Sequence, residues 1–440
     1  MKHTDFYVRP GGKLHGRLTI PGDKSISHRA LLLGAIAEGE THVTNLLESA
    51  DCLATLAAVS ELGVKIERVG EGAIIVNGTG LDGLRPPAQQ LDCGNSGTSM
   101  RLLTGLLAGQ PFTALLTGDA SLRRRPMMRI IEPLSRMGAK IESNEGSAPL
   151  TIHGRRPLTA LQYEMPVASA QVKSALLLAG LQAAGETWLH EPSVSRDHTE
   201  RMLAAFGCEC LRQNDWLGIR GGTPLQATDI AIPGDLSSTA FLLAGAAMTP
   251  GAEITVESVG VNPTRSGIIT LLREMGADIV FQKARFLGNE AVADILVRGS
   301  VLQGISISPD MVPLAMDELP VLMIAAACAE GVTRLYGAAE LRVKESDRLQ
   351  AVANGLRSLG VAVELWDDGM IVTGGSGFEG GEVDSFGDHR IAMAFAMAGL
   401  RARAPICIRD CRNVETSFPG FATLARTAGL PIEVSETAFT

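Results

Sequence analysis

Aromatic residues are scarce in this chain: Phe, Trp and Tyr together make up 4% of 440 residues. Any core must therefore be aliphatic, built from Leu, Ile, Val, Ala and Met. Positive charge is also in deficit, with 39 Lys and Arg against 48 Asp and Glu and a formal net charge of −9. That balance argues against general nucleic-acid or membrane-surface binding and leaves room for a local basic site only. Long apolar runs are missing, and no stretch approaches the ~18 residues that mark a membrane span. The segment MKHTDFYVRPGGK lacks the apolar core of a signal peptide, so the expected location is the cytoplasm. The seven cysteines form no framework of paired spacings. Cys208 and Cys210, two apart in an expected strand, face one side, and no nearby His or Cys pair completes a zinc set. Buried reduced thiols and no metal are expected. A P-loop is absent as well, since GxxxxGK[ST] does not occur.

What the chain has is repetition. A helix that ends in a hydrophobic residue and Gly, then runs straight into a strand, recurs at Leu62-Gly63, Met137-Gly138, Phe206-Gly207, Met275-Gly276, Leu359-Gly360 and Ala428-Gly429. Five of these are followed by a short strand closed by Gly, at Gly78, Gly154, Gly221, Gly299 and Gly374. A period of about 70 residues is too long for ordinary solenoid units, so each is expected to be a small β/α module. Each module opens with a polar tip and an apolar helix, at 23–39, 94–109, 169–185, 235–251, 317–331 and 387–399. Helices that are apolar all round belong inside a domain. The second helix of each module is one-sided: Leu349, Val352, Ala353, Leu356 and Leu359 make one stripe. Gly supplies its left-handed cap. A hairpin is expected at Trp366-Asp367-Asp368-Gly369, and Pro133 is expected to kink the helix that contains it.

The sixth module lacks a closing strand after Pro431-Ile432-Glu433-Val434. FYVRPGGKLHG resembles ILVRGSVLQG at 295–304, so residues 1–22 are expected to complete it. The tetrapeptide Ile20-Pro21-Gly22-Asp23 returns as Ile232-Pro233-Gly234-Asp235. Two matching Pro-Gly links suggest two hinge strands between a domain of residues 23–233 and a discontinuous one of 1–22 plus 234–440, with three modules each.

The helix tips carry the chemistry. In DKSISHR at 23–29, Asp23, Ser25 or Ser27 caps the helix, Lys24 sits at its mouth, and Arg29 lies one turn beyond Ser25. The run suits a phosphate and equally suits a capped helix with solvated charges. GNSGTSMR at 94–101 is a Gly-rich helix entry that would expose the amides of Gly97 and Thr98. In LRRRP at 122–126, two arginines read as a solvated face and Arg125, beside Pro126, as the one pinned at a helix mouth. SRDH at 195–198, KESDR at 344–348 and GDHR at 387–390 each set a basic residue at a helix entrance. Six helix starts aimed at one place would form an anion trap. Asp317-Glu318 and Glu345 are carboxylates among these cations, an odd choice for a site that only binds anions, and they suggest a base and an acid. His389 is a weaker candidate.

At this point the motifs PGDKSISHR, GNSGTSMRLL, GDASLRRRPM, SAQVKSALLLAG, SRDHTERML, RVKESDRL and GDHRIAM resemble, in order and spacing, the 5-enolpyruvylshikimate-3-phosphate synthase family over essentially the whole chain. The resemblance implies an α/β fold: a two-domain inside-out α/β barrel of six βαβαββ repeats, three per domain, joined by two hinge strands. It implies transfer of the enolpyruvyl group of phosphoenolpyruvate to the 5-hydroxyl of shikimate 3-phosphate, with release of phosphate, in the shikimate pathway of aromatic amino acid biosynthesis. Shikimate 3-phosphate would meet Lys24, Ser25, Arg29, Ser169, Ala170, Gln171, Arg196, Asp317 and Lys344, with Ala170 offering its backbone. Phosphoenolpyruvate would meet Lys24, Asn95, Gly97, Arg125, Gln171, Arg348 and Arg390. Asp317 would take the 5-hydroxyl proton, and Glu345, alone or with Lys24, would protonate the methylene carbon before phosphate leaves. No metal or organic cofactor is implied, and the expected partners are the two substrates of a monomer, with no nucleic acid and no membrane. SAQVKSALLLAG, RDHTE and TSFP point to a branch distinct from the enterobacterial form, in which a Lys stands near the position of Thr416.

The physics fits two crowded anionic substrates. One unscreened like-charge contact at about 4 Å costs roughly 4 kcal/mol at an effective dielectric near 20. Cations and helix N-termini offset that cost and the charge of the transition state. With cations on both domains, the expectation is that anionic ligands draw open domains shut. The nearest rival is the sister transferase that acts on a UDP-amino sugar, which generally carries a Cys, occasionally an Asp, in the loop where this chain has Gly118-Asp119-Ala120-Ser121-Leu122, whose Asp119 belongs to the shikimate-type GDASL motif. The other is a non-catalytic β/α-repeat protein that binds a phosphorylated ligand.

Overall fold

The computed structural model describes residues 3–437. The chain divides into two compact units of mixed α/β structure. The first is Gly22–Pro233 with Phe286–Glu290, and the second is 3–21, Gly234–Arg285 and 291–437. The stretch Phe286–Glu290, expected within 234–440, groups with the first unit.

In the first unit the polar-tipped helices are α1 (Lys24–Ala35), α3 (Gly97–Ala108) and α5 (Ala170–Gly180). They alternate with α2 (Ala50–Glu61), α4 (Met128–Arg136) and α6 (His198–Ala205). The apolar helices are enclosed as their sequences require: every residue of α1 from Ile26 to Ala35 is buried. Three sheets share one plan. Thr113–Thr117 pairs parallel with Leu91–Asp92 and antiparallel with Ser147–His153, which pairs antiparallel with Lys140–Asn144. Glu186–His190 and Ala37–Thr44 are the corresponding central strands of the other two. A single aliphatic core, from Ile26 to Ile232, fills the space between them.

The second unit holds α7 (Leu236–Ala247), α8 (Gly267–Glu274), α9 (Val312–Ala315), α10 (Leu319–Cys328), α11 (Arg348–Ser358), α12 (His389–Ala398) and α13 (Phe421–Thr427). All of α7 is buried. The stripe expected on α11 is present, with Leu349, Val352, Ala353 and Leu356 in the core. The expected hairpin closes with Trp366 N donating to the Gly369 carbonyl. Among the described residues, no single helix is long and apolar enough to cross a membrane.

Both sets of marker glycines have a geometric cause. Gly63 and its five counterparts all take positive φ, between +83° and +111°, which ends the second helix in a left-handed cap. The closing glycines solve a different problem. A Cβ on Gly78 would lie 2.2 Å from the Ala37 carbonyl oxygen, and one on Gly221 would lie 1.8 Å from that of Ala183. In each case the carbonyl belongs to the residue that opens the strand just past the buried helix, so the two chain segments meet backbone to backbone.

Two expectations need correction. Residues 1–22 do not complete the last module as a block. His3–Val8 enters the last sheet, between Ile406–Arg409 and Ile432–Thr437. His15–Thr19 instead pairs parallel with Glu253–Gly260. Cys208 and Cys210 lie before the strand Leu211–Gln213, not in one, with Cys208 buried and Cys210 partly so. Pro133, expected to kink its helix, lies within α4 (Met128–Arg136).

Candidate active site

The first unit gathers three helix entrances. Asp23 caps α1, its Oδ1 accepting from Ile26 N at 2.9 Å. Of the alternatives, Ser27 faces inward and accepts from Leu47 N at 3.0 Å. Ser96 caps α3 and Ser169 caps α5 through their hydroxyls. Gln171 ties the last two together: its Nε2 donates to Thr98 Oγ1 at 2.9 Å and its Oε1 accepts from Arg101 Nη1 at 2.6 Å. Thus the amide of Gln171 is oriented from both ends. Asn95 is held in the same way, accepting from Arg125 Nη2 at 2.9 Å and donating to Asp119 Oδ2 at 2.7 Å.

Arg125 lies in the sequence just before α4, yet its guanidinium serves the mouth of α3, where Gly97 leaves room for it. A Cβ on Gly97 would lie 2.8 Å from Arg101 Nη1 and 3.2 Å from Arg125 Nη1. Arg123 and Arg124 are exposed. Arg29 is buried and donates to Thr199 Oγ1 at 2.7 Å, Ser174 Oγ at 2.7 Å and the Ser25 carbonyl at 2.9 Å. Lys24 is ion-paired with buried Asp51. Arg196 lies partly buried in the loop that leads into α6. Beneath these groups His28 is fully enclosed, 2.8 Å from Thr55 Oγ1. Burial, then Lys24 and Arg29, push its pKa well below the ordinary value, which keeps it neutral.

The second unit gathers carboxylates around one arginine. Arg348, the first residue of α11 and 1% exposed, donates from Nε to Asp388 Oδ2 at 2.8 Å. Its Nη2 reaches Glu345 Oε2 at 2.5 Å, and its Nη1 reaches Asp317 Oδ1 at 3.2 Å. The three carboxylates favour the charged guanidinium strongly enough to outweigh its burial, and its pKa is raised. Arg390 donates to the Asp317 backbone carbonyl at 3.1 Å. Lys344 sits beside the same cluster. Burial lowers its pKa, Asp317 opposes that shift, and Arg348 adds to it. Asp388 caps α12 by accepting from Arg390 N at 2.9 Å. Glu318 is buried and accepts from Ser237 Oγ.

The expected residues therefore fall into two sets. Lys24, Ser25, Arg29, Asn95, Gly97, Arg125, Ser169, Ala170, Gln171 and Arg196 belong to the first unit, and Asp317, Lys344, Glu345, Arg348 and Arg390 to the second. Sequence reasoning passed over Asp51, Arg101 and Asp388, whereas Glu318 was already marked there as a helix-mouth carboxylate. Arg101 was within reach, because it follows Gly97 by one helical turn in GNSGTSMR. Asp51 gives no such signal, since only the tertiary fold brings it to Lys24.

Comparison with known proteins finds a matching family. A family model described as EPSP synthase (3-phosphoshikimate 1-carboxyvinyltransferase) matches residues 8–424. A 3-phosphoshikimate 1-carboxyvinyltransferase of Alkalilimnicola ehrlichii is 58% identical over 97% of this chain and 96% of that protein. One of the same name from Coxiella burnetii is 54% identical over 98% of each. The solved EPSP synthase of Acinetobacter baumannii superposes with a TM-score of 0.88 at 51% identity, covering 98% of this chain and 100% of that one.

Proposed function

The chain belongs to the EPSP synthase family, and from that premise we infer that it is a transferase that moves the enolpyruvyl group of phosphoenolpyruvate onto the 5-hydroxyl of shikimate 3-phosphate, releasing phosphate. That step serves the shikimate pathway and aromatic amino acid biosynthesis. Every similarity named above is to this activity rather than to the UDP-amino sugar transferase. We read the units as two domains, 23–233 and 1–22 with 234–440, each of three βαβαββ repeats in an inside-out α/β barrel joined by two hinge strands. The common strand plan of the sheets supports that reading. The enzyme is taken to be a cytoplasmic monomer whose partners are its two substrates.

In the proposed site, shikimate 3-phosphate is bound by Lys24, Ser25, Arg29, Ser169, Ala170, Gln171, Arg196, Asp317 and Lys344. Phosphoenolpyruvate is bound by Lys24, Asn95, Gly97, Arg125, Gln171, Arg348 and Arg390. The observation that carries the chemistry is the single guanidinium of Arg348, bonded to both Asp317 and Glu345. A neighbouring cation favours ionised carboxylates, which suits Asp317 as the base that takes the 5-hydroxyl proton. The freed oxygen attacks the central carbon of phosphoenolpyruvate. When the carboxylate of that substrate takes a share of Arg348, Glu345 loses part of its cation and gains proton affinity. It then suits the role of acid toward the methylene carbon, with Lys24 assisting. The tetrahedral intermediate then collapses: Glu345 takes a proton back from the new methyl group as the C–O bond to phosphate breaks, which restores the methylene, and phosphate leaves.

The test is phosphate release from phosphoenolpyruvate, measured with shikimate 3-phosphate, with a UDP-amino sugar, and with neither. Release is expected with the first alone. Release that requires the UDP-amino sugar would overturn the assignment, and binding of both anions without any turnover would favour the non-catalytic reading.

A further inference from the structure

Lys173 has no part in the site as read above, yet it is 2% exposed and sits on α5 two residues past Gln171. Its Nζ is 2.7 Å from Glu191 Oε1 and 2.8 Å from Glu200 Oε1, and it donates to the Ser195 carbonyl at 3.4 Å. Those three partners span one loop. Glu191 follows the strand Glu186–His190, Ser195 immediately precedes Arg196, and Glu200 lies in the first turn of α6. One ammonium therefore grips the loop at its start, beside Arg196 and at its end. Burial pushes the pKa of Lys173 down, but Glu200 and Glu191 more than offset this, so the group stays cationic.

Stability is a poor explanation for this cluster. It places one cation with two carboxylates, and Glu191 Oε2 and Glu200 Oε2 are buried without hydrogen-bond partners. Buried ion clusters of this kind are often matched or bettered by well-packed apolar side chains. What such a cluster supplies is a fixed geometry. The next residue along α5 adds to it: Ser174 Oγ accepts from Arg29 and lies 2.7 Å from Thr199 Oγ1 on α6. A single turn of α5 thus sets both Arg29 and the approach to α6.

We propose that Lys173 is a positioning residue, clamping loop 191–197 so that the guanidinium of Arg196 is held ready for the phosphate of shikimate 3-phosphate. The inference rests on the reading of Arg196 given above. The experiment is a double-mutant cycle in steady-state kinetics, using Lys173→Met, Arg196→Ala and the pair, with a thermal melt of each. Arg196→Ala is expected to raise KM for shikimate 3-phosphate about tenfold or more. Lys173→Met is expected to raise the same KM by about tenfold, with KM for phosphoenolpyruvate within about twofold of wild type. In the Arg196→Ala background, Lys173→Met should add less than about twofold, because a residue that acts through another has nothing left to act on. If Arg196→Ala raises KM and Lys173→Met does not, or if the two effects multiply, the clamp is overturned while the site stands. If Arg196→Ala leaves KM unmoved, the reading of Arg196 falls and the clamp with it. Should Lys173→Met fail to fold, Glu191→Gln removes one arm of the clamp at nearly constant shape and is judged by the same cycle.

Discussion

The two units fix their buried arginines by different means. Arg29 in the first unit is oriented by two hydroxyls and a backbone carbonyl. Arg348 in the second is oriented by three carboxylates. A hydroxyl aims a guanidinium without cancelling its charge, whereas a carboxylate aims it and titrates beside it. The first arrangement suits the binding of anions, and the second suits the movement of protons. Lys24 departs from the pattern of Arg29: it rests on Asp51, so an incoming anion must compete with a carboxylate for it.

The sharpest break of that contrast is Asp317→Asn. Removing a general base costs about 10²–10⁴ in rate, so kcat is expected to fall by that factor while both KM values stay within about threefold. A shift confined to KM would make the second unit a binding element like the first. Next in size is stability. Arg348→Met strands three carboxylates, one of them on wholly buried Asp388, and is expected to cost about 3–5 kcal/mol in a denaturant titration. Arg29→Met removes its bonds to two hydroxyls and a backbone carbonyl and is expected to cost about 1–3 kcal/mol. Equal losses would erase the distinction. The smallest effect concerns Gly97→Ala. The nearest obstacles to its Cβ are guanidinium tips, which can move, not backbone. KM for phosphoenolpyruvate is expected to rise about tenfold, roughly 1.4 kcal/mol, with the melting temperature unchanged. A lowered melting temperature at unchanged KM would mean that the tips of Arg101 and Arg125 cannot yield.

How much of this could be read from the sequence follows from what each feature costs to disguise. The helix-ending glycines and the closing glycines are visible because no other residue fits their φ or their contact with a carbonyl. The buried helices are visible because nothing polar interrupts them. The route of the first strands is not visible in that way: in His15–Thr19 only Leu18 is buried, so the segment carries almost no pattern to say which sheet it joins. Cys208 and Cys210 misled for a related reason, since their two-residue spacing imitates a strand that begins only at Leu211. Within the site, cations at helix entrances announce themselves through local motifs. Asp51, Asp388 and Lys173 do not, because their meaning lies in which distant side chain they meet. Arg125 shows both limits, legible as a helix-mouth arginine and yet serving the mouth of α3 rather than that of α4, which it precedes.

The place of His3–Val8 between Ile406–Arg409 and Ile432–Thr437 has a consequence for how the chain is made. At ribosomal speeds of about 5–20 residues per second, its partners emerge on the order of 20–90 s after it does. Throughout that wait Phe6 and Val8, both buried once the sheet is complete, are on a strand with two open edges. Chaperone capture of the nascent chain should therefore centre on this segment, and synthesis slowed upstream of residue 406 should lengthen the interval in which misassembly can begin.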